Sequence, residues 1–159
     1  MTASIPRNRP PTRTDAAPAL RTVFRIFAAW GLTDREAMIV LGLAHWCGHC
    51  QAEVPRLQEW FDDNGMPDDV DVVALATGSS SSQPNFPPGE WLVREGWSVP
   101  TLVDDEASTG GTAYGVQGFP AFVVVDADGD VVQRASGELT VEQWEQLLEA
   151  ARSGEPSPV

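Results

Sequence analysis

The chain of 159 residues has no lysine and only two cysteines. All ten basic side chains are arginine, and 23 acidic side chains leave a net charge of −13. Such a negative field repels phosphate, which argues against nucleic acid as a partner. Two cysteines are too few for a small scaffold held together by disulfides, and too few for a zinc knuckle built from two ligand pairs.

Long apolar runs are also missing. No stretch approaches the roughly 20 residues of a membrane span, and none resembles the apolar core of a secretory signal. The sequence leaves the compartment open: cytoplasmic as written, extracytoplasmic if an export segment or anchor is missing. A hydrophobic content of 42%, with six tryptophans and six phenylalanines, is sufficient for the core of one domain.

The two cysteines stand together in the stretch Trp46-Cys47-Gly48-His49-Cys50. They follow the apolar run Met38–Ala44, which has the length of a buried strand, and helix-type sequence comes after them. This junction places Cys47 at a helix N-terminus, where a thiolate is favoured. The spacing therefore predicts a redox dithiol in which Cys47 is the nucleophile and Cys50, one turn inside the helix, resolves the mixed disulfide.

The pair has two other interpretations. A structural disulfide closing so small a loop would constrain the unfolded chain little. His45 and His49 add two imidazoles to the two sulfurs, so the alternative function is that of a copper or zinc carrier using His45, Cys47, His49 and Cys50. Redox chemistry is favoured because the dithiol lies in a strand-helix pattern, and it needs neither a bound cofactor nor a metal.

Two prolines accompany the dithiol. Pro55 falls inside the predicted helix, where proline costs about 3 kcal/mol and bends the axis, so its presence needs a structural reason. Pro120, in Gly118-Phe119-Pro120, precedes the apolar strand Ala121–Val125. A proline at the start of a strand is a candidate for the rare cis isomer.

These features together resemble the thioredoxin superfamily, and in particular the TlpA/ResA branch of thiol:disulfide oxidoreductases. The resemblance runs from about Leu32 to Ala151, and its most specific parts are Cys50–Pro55 and Ala113–Pro120. It implies an α/β thioredoxin fold, with a central mixed β-sheet flanked by helices on both faces. It also implies protein disulfide or dithiol substrates, an unidentified redox partner and a monomeric state.

The resemblance further implies roles for individual residues. In this branch the glutamate matching Glu53 lies near the second cysteine and helps to move its proton. Trp46, Phe119 and a cis Pro120 would form the apolar platform on which a substrate backbone pairs. Phe119 is bulkier than the small or β-branched residues common at that position, and we expect it to narrow access.

Two departures from classical thioredoxins are visible. Leu41 occupies the position of their buried aspartate, so proton handling cannot follow that route. The inner dipeptide is Gly48-His49, as in protein disulfide isomerases. His49 is expected to tune the site by stabilising the Cys47 thiolate, which makes the couple more oxidising than the about −270 mV of thioredoxin.

The ends of the chain differ from its body. Residues 1–18 are predicted to be a disordered basic arm, residues 19–152 the thioredoxin-like domain, and residues 153–159 a flexible tail. Apolar residues at helical spacing between Leu20 and Trp30 predict a first helix that packs on the sheet. Contact of this helix with a membrane surface is the alternative, because Arg21 and Arg25 flank the apolar stripe.

The remaining pattern predicts alternating elements. Strands are expected at Val70–Thr77 and Thr101–Val103, and a helix interrupted by two glycines at Glu106–Tyr114. The acidic stretch Asp126–Asp130 lacks the spacing of a calcium loop and predicts a hairpin turn. A last helix begins at Thr140 with a capping box, and its inward face is predicted to comprise Val141, Trp144, Leu148 and Ala151.

Overall fold

The computed structural model describes residues 37–159, so the predicted basic arm and the helix between Leu20 and Trp30 lie outside the described residues. The strands are β1 (Ala37–Leu43), β2 (Val70–Ala76), β3 (Thr101–Val103), β4 (Ala121–Val125) and β5 (Val131–Ser136). The helices are α1 (Gly48–Asn64), α2 (Pro88–Arg94), α3 (Thr109–Ala113) and α4 (Val141–Ser153).

The five strands form one mixed sheet in the order β3-β2-β1-β4-β5. β1 pairs in parallel with β2 and antiparallel with β4, so it lies at the centre of the sheet. Every residue of β1 is buried, which explains why its sequence is continuously apolar instead of alternating. The parallel strands β1 and β2 bring their carboxyl ends to one edge, where Cys47 follows β1.

Alternate residues of β1 supply two separate cores. Ile39 and Leu41 belong to the larger cluster, which also contains apolar residues of α1, α2 and α4. Met38 and Val40 belong to the smaller cluster on the other face, which Tyr114 covers from the end of α3. Helices therefore cover both faces, and the predicted α/β thioredoxin fold is confirmed.

The region before α3 corrects the predicted helix over Glu106–Tyr114. The helix is short and begins only at Thr109. Asp105 accepts a hydrogen bond from the Thr109 amide, and Asp104 accepts two from the amides of Gly110 and Gly111. These carboxylates bind the unpaired N–H groups of the first turn and thereby fix where the helix starts.

The start of α4 confirms one prediction and corrects another. Thr140 and Gln143 form the predicted capping box. Val141, predicted to face inward, is 41% exposed. Leu139 takes the inward position instead and lies in the same buried cluster as Trp144, the arrangement of a hydrophobic staple across the helix start.

The hairpin and the last residues complete the sheet edge. The Asp126 carboxylate accepts hydrogen bonds from the amides of Asp128 and Asp130, which closes the predicted turn between β4 and β5. The sequence predicts a flexible tail over residues 153–159. In the structure Ser153 ends α4, and Gln133 of β5 bonds the backbone of Ser157 and Val159.

No helix within residues 37–159 is long and apolar enough to cross a membrane.

Candidate active site

The dithiol lies where β1 ends and α1 begins. Cys47 is the N-cap residue of α1, partly exposed, and its thiol points towards the backbone carbonyl of Phe119 at 3.8 Å. This position is the positive end of the helix dipole, where negative charge on sulfur is favoured. Cys47 is thus the cysteine that an external disulfide can reach.

Cys50 has the opposite environment. It is fully buried, and the amide of Ala44 donates a hydrogen bond to its sulfur at 3.4 Å. Burial raises the pKa of the Cys50 thiol to about 12, and the negative charges of Cys47 and Glu53 add to this effect. At neutral pH Cys50 therefore holds its proton, and a base must remove that proton before the sulfur can attack.

Glu53 is a buried carboxyl group on the same helix as Cys50. Its side chain is fully buried, one turn after Cys50 on the inward face of α1. Both carboxylate oxygens accept from the amide of Leu139, at 3.3 and 3.2 Å. Burial raises the pKa of Glu53 to about 7, although the Leu139 amide and the Arg56 guanidinium act against the shift. A carboxyl group with this pKa changes protonation state near neutral pH, as a general base must.

Sequence reasoning missed two charged residues beside Glu53. Arg56 donates to Glu53 at 3.0 Å and to the carbonyl of Leu139 at 2.8 Å, and its other terminal nitrogen bonds Glu138 at 3.0 Å. The i,i+3 spacing of Glu53 and Arg56 was a usable signal. The sequence carries no such signal for Glu138, because it lies more than 80 residues away along the chain.

His49 contacts Glu138. Its Nδ1 lies 2.8 Å from a Glu138 oxygen, and its side chain is 71% exposed. The pKa of Glu138 is held below its usual value by His49 and Arg56. With Nδ1 bonded to this carboxylate, that nitrogen is not available to donate a hydrogen bond to Cys47.

The residues of the predicted platform lie together around Cys47. The peptide bond between Phe119 and Pro120 is cis, as the sequence predicted. The Trp46 and Phe119 rings meet edge to face at 5.7 Å, and the Trp46 indole donates to the carbonyl of Gly78 at 2.8 Å. Gly78 has a φ of +64°, and a Cβ there would lie 3.3 Å from the Phe119 ring, so glycine lets this ring lie against the backbone.

His45 does not face the cysteines as a metal ligand would. It is fully buried, and its two ring nitrogens bond the carbonyl of Pro84 at 2.6 Å and the amide of Ser80 at 3.1 Å. Its role is to hold the loop that follows β2 beside the dithiol. Within the described part of the chain, no three His, Cys, Asp or Glu side chains are grouped to hold a metal ion. The geometry therefore does not assemble the carrier site proposed from His45, Cys47, His49 and Cys50.

The sequence matches known proteins in the same region. The family model Redoxin matches residues 27–148. The thiol-disulfide oxidoreductase ResA of Bacillus thuringiensis is 32% identical over 104 residues, which cover 65% of this chain and 56% of that protein. ResA of Geobacillus kaustophilus is 26% identical over 107 residues, which cover 67% of this chain and 58% of that protein. The chain thus spans a little more than half the length of these relatives.

Solved structures share the fold. StoA from Bacillus subtilis superposes with a TM-score of 0.62 at 20% identity, covering 73% of this chain and 84% of that one. A secreted disulfide oxidoreductase of Mycobacterium tuberculosis superposes with a TM-score of 0.59 at 20% identity, covering 76% of this chain and 85% of that one. The sheet order, the dithiol at the β1–α1 junction and the family match agree with one another. The chain therefore belongs to the Redoxin family and is a ResA-like member of the thioredoxin superfamily.

Proposed function

We propose that this protein is a thiol:disulfide oxidoreductase that exchanges disulfides with protein substrates through Cys47 and Cys50. The unequal environments of the two sulfurs carry the proposal. One is reachable and lies at a helix N-terminus, while the other is buried as a thiol next to a buried carboxyl group. The ResA relatives carry the same activity in their names.

In the reductive direction, the Cys47 thiolate attacks one sulfur of a substrate disulfide. A mixed disulfide forms, and the other substrate sulfur leaves and takes up a proton. The platform of Trp46, Phe119 and Pro120 would hold the substrate backbone beside Cys47 during this step. The edge-to-face contact of Trp46 with Phe119 and the Trp46 bond to Gly78 support that role, because they fix both rings.

In the second step, Glu53 takes the proton from Cys50, and the resulting thiolate attacks Cys47 in the mixed disulfide. A Cys47–Cys50 disulfide forms, the substrate sulfur leaves as a thiol after gaining a proton, and two electrons have passed to the substrate. Glu53 then returns its proton to solvent or to the leaving sulfur. The raised pKa values of Cys50 and Glu53, about 12 and about 7, support this assignment of base and acid.

The test is reduction of insulin by dithiothreitol, with and without the protein. We expect the wild type to accelerate the reaction and Cys47→Ser to abolish the acceleration. Dithiothreitol would reduce a mixed disulfide, so in a second experiment reduced Cys50→Ser is mixed with insulin without dithiothreitol, and we expect an adduct that mass spectrometry detects. No acceleration by the wild type would refute the proposed activity. An adduct that forms with Cys47→Ser but not with Cys50→Ser would reverse the two roles.

A further inference from the structure

A chain of ion pairs connects the surface of the molecule with Glu53. His49 bonds one oxygen of Glu138, and Arg56 bonds the other oxygen at 3.0 Å. The same guanidinium reaches Glu53 at 3.0 Å through its other terminal nitrogen. Arg56 is therefore shared between an exposed carboxylate and a buried one.

The two neighbours act on Glu53 in opposite directions. The Arg56 cation favours the carboxylate and lowers the pKa of Glu53, while the negative charge of Glu138 raises it. Because Glu53 is buried, solvent screens these charges less than it would at the surface. Removal of either partner should therefore change the proton affinity of Glu53 with a predictable sign.

We propose that Arg56 and Glu138 are opposed positioning residues that together set the pH at which Glu53 accepts the proton of Cys50. The inference rests on the proposed function, and it assigns to the pair a role beyond holding α1 against the start of α4. Arg56 keeps Glu53 available as a carboxylate. Glu138 binds the same guanidinium and adds a negative charge, which keeps the pKa of Glu53 high enough for it to take a proton.

The groups that face Glu53 come from two elements. From α1 these are Cys50, whose thiol is the proton source, and Arg56. From the segment before α4 they are the Leu139 amide and the Glu138 carboxylate. His49 acts on Glu53 through Glu138. Of these groups Arg56 and Glu138 keep opposite charges around neutral pH, so they are the pair that substitution can test.

The experiment follows oxidation of the reduced protein by dithiobis(nitrobenzoate), an aromatic disulfide that releases a coloured thiolate. The first release reports the attack by Cys47, and the second reports the attack by Cys50 on the mixed disulfide. Since the aromatic thiolate leaves without needing a proton, the rate of the second release isolates removal of the Cys50 proton. Stopped flow measures the rate of this second release as a function of pH. The midpoint of the rate–pH curve that is absent in Glu53→Gln is assigned to Glu53.

We expect Arg56→Gln to move this midpoint up by about one pH unit, the lower end of the effect of a nearby opposite charge. Arg56→Lys should move the midpoint less than Arg56→Gln does, because lysine keeps the positive charge. Glu138→Gln should move the midpoint down. The matched control is Arg152→Gln, which removes an arginine of equal exposure, 39% against 38%, from an ion pair with Asp69. Asp69 precedes β2 and so lies at the opposite end of the sheet.

Unchanged midpoints in Arg56→Gln and Glu138→Gln, or shifts of both in one direction, would overturn the proposal. If Arg56→Gln fails to fold, Glu138→Gln alone decides, because the expected downward shift either appears or does not. Failure of the proposed function would look different. In that case the wild type gives no second release, or Glu53→Gln keeps the midpoint of the wild type.

Discussion

The two cysteines are separated by one turn of helix, yet they differ in exposure to solvent and in the groups that surround them. Cys47 is partly exposed, and its neighbours Trp46, Phe119 and Pro120 are apolar. Cys50 is fully buried, and the groups near it carry charge: Glu53 directly, and Arg56 beyond it. The first region is suited to receiving a substrate, and the second to moving a proton.

Under the proposed function, this difference lets one short motif make two successive attacks. If both sulfurs were exposed thiolates, Cys50 could be attacked by the substrate as readily as Cys47. Burial prevents this and raises the pKa of Cys50 to about 12, so that Cys50 reacts only after a proton has been removed. In the proposed mechanism Glu53 takes this proton, and substitutions in each of the two regions test that division.

The largest effect is expected from Glu53→Gln, which removes the base from the buried region. We expect release of the mixed disulfide to slow by about 10- to 100-fold near neutral pH, towards the lower end of general acid–base effects. Single-turnover stopped flow measures it. The attack by Cys47 should change much less, because it does not need this proton.

The matched control for that substitution is Glu59→Gln. Glu59 is an exposed carboxylate on the same helix, so its loss removes an equal charge without touching Cys50. Equal release rates for the wild type and Glu53→Gln would mean that another group takes the proton.

The buried carboxyl group should also make stability depend on pH. The pKa of Glu53 rises from an ordinary 4.5 to about 7 on folding. The contribution of Glu53 to the free energy of unfolding is therefore fully present below pH 4.5. It is lost as pH rises through 7, by about 3 kcal/mol in all. Urea unfolding of the reduced protein between pH 5 and 8 measures this loss, and Glu53→Gln should lack it. Parallel curves for the two proteins would show that Glu53 is not perturbed by burial.

A smaller effect is expected from His49→Pro, which alters the exposed region. Loss of the imidazole next to Cys47 should disfavour the thiolate and make the couple more reducing, by on the order of 30 mV, a tenfold change in equilibrium constant. Equilibration with glutathione measures the shift. His49→Ala is the control that separates loss of the imidazole from gain of a proline. An unchanged potential would mean that the Glu138 contact cancels any influence of His49 on Cys47.

The fold was predictable because its signals are local. The continuous apolar run of β1, the capping box at Thr140 and the proline before β4 each specify structure within a few residues. The errors have local causes as well. The helix predicted from Glu106 begins later because Asp104 and Asp105 bind its first amides, and Val141 is exposed because Leu139 takes the inward position.

The candidate site was predictable only in part. Cys47 and Cys50 follow from their spacing, and Glu53 follows from the family resemblance. The contacts that decide proton affinity join distant parts of the chain: Glu138 meets α1 only when the sheet brings the start of α4 beside it. The contacts of His45 could not be predicted for the same reason, because the loop that bonds both its ring nitrogens begins more than 30 residues later.

The most direct test of the central difference is the pH dependence of alkylation of each cysteine in the reduced protein, with peptides resolved by mass spectrometry. The shape of each curve reports the thiol itself, whereas the absolute rate also reflects access. We predict that alkylation of Cys50 still rises with pH well above pH 10, as a pKa of about 12 requires. A curve for Cys50 that levels off below pH 10 would contradict the account of Cys50 as a buried cysteine that holds its proton until a base removes it.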